Sequence, residues 1–160
     1  MKSFSQENDK VIYDKTITYF ADSILKKNKI DRKLIVFFNG KTSKSISYLL
    51  PYTQKCFTAI DTVLFFKENE KELDSNFWKK NEKEAIEVKL PKGIKRGEIR
   101  GLFCNQRKRQ MTLYQVREIG NYKFVTIELS NKNNVFGENY SILVNSKNEV
   151  IDYCFSSWVR

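Results

Sequence analysis

Histidine is absent from all 160 residues, and this absence excludes a wide block of chemistry. Without imidazole there is no Ser-His-Asp or Cys-His catalysis, no His-ligated zinc, no HExxH helix and no histidine pH switch. Cysteine is scarce. Cys56, Cys104 and Cys154 are far apart and form no CxxC pair, and an odd count argues against a complete disulfide framework. Cys154 lies between Tyr153 and Phe155, and Cys56 precedes Phe57, so both read as small buried packing residues. Cys104 adjoins a basic cluster, which would lower its pKa, and is the one thiol worth probing. Three dispersed thiols lack the fourth ligand of a zinc site, and no metal or cofactor is expected.

Long apolar runs are missing too. The longest, Leu34–Phe38 and Val63–Phe66, fall far short of the ~20 residues that span a bilayer. Met1–Lys10 is polar and has no apolar signal core. With unpaired cysteines, the expectation is a cytoplasmic protein as the chain stands, or an exported one if a signal has been removed ahead of Met1.

What is present is enough for a core. The chain is 41% hydrophobic and 14% aromatic, well clear of disordered compositions. A single domain over residues 1–160 would bury roughly 70% of its unfolded surface. Tyr13, Ile17, Phe20, Ala21 and Ile24 recur at helical spacing and predict a helix over 11–29, capped by Asn8 or Asp9. Lys33–Phe38 reads as a strand ending in an Asn39-Gly40 turn. Gly40-Lys41-Thr42 resembles the end of a phosphate loop, but Ile35 occupies the position of its first glycine and the reading fails.

Ala59–Phe66 reads as a strand and 67–83 as a charged helix carrying Leu73, Phe77 and Trp78. Ala85–Leu90 alternates as a half-buried strand. After residue 110, Met111–Ile119, Tyr122–Leu129, Tyr140–Val144 and Val150–Val159 are strand runs separated by Gly and Asn turns, an antiparallel meander. The fold expected is α+β, with an N-terminal and a short middle helix on a mostly antiparallel, curved sheet. Cystatin-like and nuclear-transport-factor-like arrangements share that element order.

The net charge is +10, from 22 Lys and 7 Arg against 19 carboxylates. Lys is abundant together with Asn and Ile, 14 of each, a pattern that AT-rich coding alone produces. Residues 89–109 are different: eight cations face only Glu98, and four of the seven arginines fall there. Codon drift towards Lys would not concentrate Arg, whose planar fork suits carboxylate or phosphate. Gly93, Gly97 and Gly101 punctuate this segment as a loop or bent hairpin. A solvated hairpin facing the acidic 67–88 segment is the competing structural reading.

The leading expectation is a non-catalytic protein-binding module, of the inhibitor, adaptor or immunity type. Lys95, Arg96, Arg100, Arg107, Lys108 and Arg109 would contact an acidic partner surface. Sequence-independent nucleic-acid binding is the alternative, weakened because Phe103 is the only aromatic in the window. A small-ligand carrier or an enzyme using a pocket in the curved sheet is the third. Asp14, Asp22, Asp31 and Asp61 form no recognised acid/base or metal spacing, and no catalytic residue is assigned.

Overall fold

Ile12, Tyr13, Thr16, Ile17, Phe20, Ala21, Ile24 and Leu25 are all buried, two inward side chains every four residues. Four residues carry an α-helix about 40° beyond a full turn, so such a stripe drifts off the core. The computed structural model describes residues 4–27, 34–47, 56–99 and 107–159, and in it the drift is corrected. Helix α1, Phe4–Tyr19, continues as a π-helix over Phe20–Leu25, whose wider turn winds the stripe back. The helix starts earlier than its apolar pattern does, so Asn8 and Asp9 lie within it and not at its cap.

Among the described residues seven strands form one open sheet: β1 Ile35–Phe38, β2 Ile94–Arg96, β3 Lys108–Leu113, β4 Arg117–Ile119, β5 Tyr122–Ser130, β6 Phe136–Val144 and β7 Val150–Val159. Their order is β2-β1-β3-β5-β6-β7, with β4 also paired to β5. β1 runs parallel to β2 and β3, and the remaining pairs are antiparallel. This is the mostly antiparallel α+β arrangement expected. α1 packs on one face against Val36, Phe38, Leu113, Ile127, Tyr140 and Ile142. Phe20 meets Tyr140 edge to face at 5.1 Å. The other face carries a smaller core, in which Phe57, Ile60 and Phe65 cover Phe124, Leu143 and Cys154.

Several local expectations change. Ala59–Phe66 is not a strand: α2 spans Thr62–Lys71. Asp61 caps it by accepting the Leu64 N–H at 2.9 Å, a signal that competes with the β-branched content. α3, Phe77–Lys80, follows after a turn. Ala85–Leu90 is extended but lies against the 40–42 loop, through Thr42 N–H to Ile86 O and Val88 N–H to Gly40 O, each 2.9 Å. Met111–Ile119 divides into β3 and β4, whose registers on β5 are offset by one residue, Leu113 pairing with Ile127 and Arg117 with Phe124.

Cys56 and Cys154 form a disulfide, with Cα atoms 5.7 Å apart across 98 residues of sequence. This corrects the expectation of two unlinked packing thiols. Cys154 is buried as expected, whereas Cys56 is exposed. Spacing in the chain gives no sign of a contact made only when 56–65 folds over the sheet.

Candidate interaction surface

The position of the basic segment follows from the β1 register. Ile94 and Arg109 both pair with Val36, one on each side of β1. The two ends of 89–109 are therefore not a hairpin; they sit on strands separated by β1. Residues paired across a sheet share a face. Lys95 and Lys108, aligned with Phe37 and Ile35, lie on the face away from α1. Arg96 and Arg109, aligned with Phe38 and Val36, lie on the helix face.

The six candidate residues thus occupy different environments. Lys95, Arg96 and Arg107 are exposed and Lys108 is half-buried. Arg109 is only 8% exposed. Its guanidinium lies 5.4 Å from the centre of the Phe136 ring and donates to the Lys108 carbonyl at 3.1 Å. Arg109 is a packing residue at the end of the core. Arg100, with Cys104, falls outside the described residues. Arg96 has Glu87 at 3.8 Å, both largely exposed, a pair that contributes little.

Residues from elsewhere join the β2 edge. An open groove of about 820 Å³ gathers Lys10 from α1, Lys41 after β1, and Lys89 and Arg96, interspersed with Glu7, Glu84 and Glu87. A second groove of about 400 Å³ shares Lys41 and adds Asn39, Gln110, Asn131, Lys132 and Glu98. Charge counting along the chain misses Lys10, Lys41 and Lys132, because three remote segments bring them to the edge.

A buried network holds that edge in place. The Tyr13 hydroxyl donates to Gln115 Oε1 at 2.6 Å and accepts the Val116 N–H at 2.8 Å. Burial pushes its pKa well up, so it remains a donor. Gln115 Nε2 donates to Thr42 Oγ1 at 2.7 Å and to the Ser43 carbonyl at 2.8 Å. Thr42 Oγ1 accepts the Ile86 N–H at 2.8 Å. One Tyr and one Gln thereby tie α1, the 40–43 loop and the 84–88 segment to the sheet, and fix Lys41 beside Arg96.

The acidic 67–88 segment has its main anchor elsewhere. Arg117 on β4, its side chain 4% exposed, pairs with Glu72 and Glu68 and donates to the Glu68 carbonyl at 2.7 Å. Phe77 covers its guanidinium, 5.1 Å from the ring centre. Only Glu87 of this segment makes an ion pair with the basic window among the described residues. Trp78 is half-buried and meets Phe77 edge to face at 5.3 Å.

Among the described residues no three Cys, Asp or Glu side chains gather as metal ligands. Among those residues, too, no helix is long and apolar enough to cross a membrane. Burial raises the pKa of Asp9 and Tyr19 as well as Tyr13, three residues spread along α1.

Fold and surface together define an open-sheet α+β protein with a short basic edge at β2 and a long apolar edge at β7. Comparison with protein-family models, with curated proteins and with solved structures finds no match for the chain.

Proposed function

We propose that the protein is a non-catalytic binding module, of the inhibitor, adaptor or immunity type, that engages an acidic protein surface through its β2 edge. The observation that carries this reading is the convergence of exposed Arg96 with Lys10, Lys41 and Lys89 in one groove at the β2 edge, with exposed Lys95 next to it on the opposite face of β2. Cations arranged along one edge steer an acidic partner and fix its register more than they add raw affinity. The interspersed Glu7, Glu84 and Glu87 favour a partner with mixed charge over a uniform polyanion. Arg109 leaves the contact set, since its fork is committed to Phe136.

A pull-down from source lysate at low and high salt tests this reading. The wild type should retain acidic proteins at low salt, and the Lys41→Gln, Lys95→Gln, Arg96→Gln variant should lose them while unfolding at the same temperature. Undiminished retention by that variant would remove the β2 edge from the function. Retention of nucleic acid in place of protein would favour the polyanion reading.

The Cys56–Cys154 disulfide supports an oxidising compartment over the cytoplasm. Protein alkylated at harvest from its source should carry one modified thiol under denaturation, at Cys104. Three modified thiols would return it to a reducing compartment.

A further inference from the structure

β7 ends the sheet opposite β2, and among the described residues no strand lies along its outer side. The two edges are built differently. β2 has three residues, two of them Lys95 and Arg96, a short charged edge of the kind that resists stray pairing. β7 has ten residues, of which Asp152 is the only charged one. Ile151, Tyr153, Phe155 and Val159 are 48%, 42%, 49% and 75% exposed. Alternation puts Tyr153, Phe155 and Val159 on the face that α1 covers only in part, while Ile151 lies at a register shift between the pairs Leu143–Asp152 and Val144–Val150. There Tyr19 meets Tyr153 at 6.3 Å and Tyr140 meets Phe155 at 5.2 Å, between ring centres. The Tyr153 N–H donates to Asp152 Oδ1 at 2.7 Å, an acceptor that the strand supplies from its own neighbouring side chain.

We propose that β7 pairs antiparallel with β7 of a second copy of this chain, about a two-fold axis at Phe155, so that one sheet continues across both copies. A two-fold normal to the sheet keeps each face on its own side, so opposed residues must be both odd or both even in number. Centring on Phe155 meets that condition. Phe155 then opposes its counterpart and Tyr153 opposes Ser157, and the regular pairing ends at Asp152, short of the bulge at Ile151. Asp152 falls opposite Trp158, so no like charges face each other.

Charge distribution selects this edge for self-association. The chain carries +10, and exposed Lys95 and Arg96 lie on β2 at the other end of the sheet. Pairing through β7 holds the two basic edges apart, whereas pairing through β2 would press them together. Half-exposed large side chains offer on the order of 100 Å² each. Three per copy give about 600 Å² before backbone is counted, below the roughly 1,200–2,000 Å² of stable specific interfaces and in the range of a weak, concentration-dependent dimer.

This inference does not depend on what β2 binds. Sedimentation velocity over a wide concentration range should show a monomer–dimer equilibrium for the wild type. Phe155→Lys and Val159→Lys should each shift it to monomer, and Lys95→Gln with Arg96→Gln should leave it unchanged. Cross-linking supplies a readout that does not rely on a disruptive variant. In a Cys104→Ser background, Phe155→Cys should form a disulfide-linked dimer on mild oxidation, because opposed Cα atoms in a strand pair lie within bridging distance. Ile151→Cys, set away from its own counterpart, should not. A monomer at every concentration, a dimer indifferent to both lysine variants, or linkage at Ile151 in place of Phe155 would each overturn the proposal.

Discussion

Gly137 and Trp158 are register partners on β6 and β7, and the indole occupies the space where a side chain would stand. A Cβ at Gly137 would overlap that ring, so the glycine is required by close approach, a known device for packing an aromatic over a strand. Gly137→Ala should destabilise the protein by about 1–3 kcal/mol, the usual cost of forced overpacking. Urea unfolding would measure it, and tryptophan emission should shift as the indole is displaced. Unchanged emission and stability would mean that Trp158 does not pack there.

Asp9 offers a second residue-scale expectation. Burial raises its pKa above the ordinary 3.8, against the opposing pull of Lys83 and Lys123. The folded state therefore binds this proton more tightly than the unfolded chain. The contribution is present at low pH, is lost as pH rises through the raised pKa, and stays lost above it. Asp9→Asn removes that slope. Its melting temperature relative to wild type should rise from about pH 3 to pH 7, and a constant difference would contradict the assignment.

At the scale of elements, α2 and α3 are held by two attachments besides the packing of Phe65 on the sheet. One is Arg117, buried with Glu68, Glu72 and Phe77. Removing one partner leaves buried charge uncompensated, so Arg117→Ala should cost about 3–5 kcal/mol, read from the urea midpoint. A loss within the range of exposed pairs would show that the carboxylates simply turn to water. The other attachment is the disulfide, which closes a loop of 98 residues of separation. A constraint of that length is worth up to about 4–5 kcal/mol through the unfolded chain. Replacing Cys56 and Cys154 together by Ser should lower stability by an amount of that order, and reductant should then have no further effect. Beyond α1, the π-helical Phe20–Leu25 segment lets a four-residue apolar repeat stay on the sheet.

For the molecule as a whole, the sheet has two unlike ends. The charged β2 end gathers cations from α1, the 41–43 loop and the 89–96 segment, and β7 presents apolar side chains on a long strand. Binding through the first should weaken with salt, because exposed charges are screened within about 10 Å at 0.1 M. Association through the second should persist or strengthen in sulfate. Running both measurements on one preparation at two salt concentrations would separate the edges. A shared salt response would mean that a single surface serves both.

The sequence carried the parts that depend on local periodicity. Helix α1 shows in Tyr13, Ile17 and Phe20, the meander in its Gly120-Asn121 and Asn145–Asn148 turns, and the mostly antiparallel sheet in the last third of the chain. The concentration of arginine in 89–109 was equally plain. What required the tertiary structure were features set by register and long-range contact. Parallel β1 places Arg109 under the core and Lys95 outside, a distinction that no count along the chain contains. α2 forms where β-branched residues suggested a strand, because the Asp61 cap and one-sided burial of Phe65 outweigh propensity. The disulfide joins residues 98 apart, and Lys10, Lys41 and Lys89 meet only after three segments fold together. Side-chain alternation and turn chemistry act over a few residues and are written in the sequence, whereas strand order and edge exposure depend on which distant segments pack.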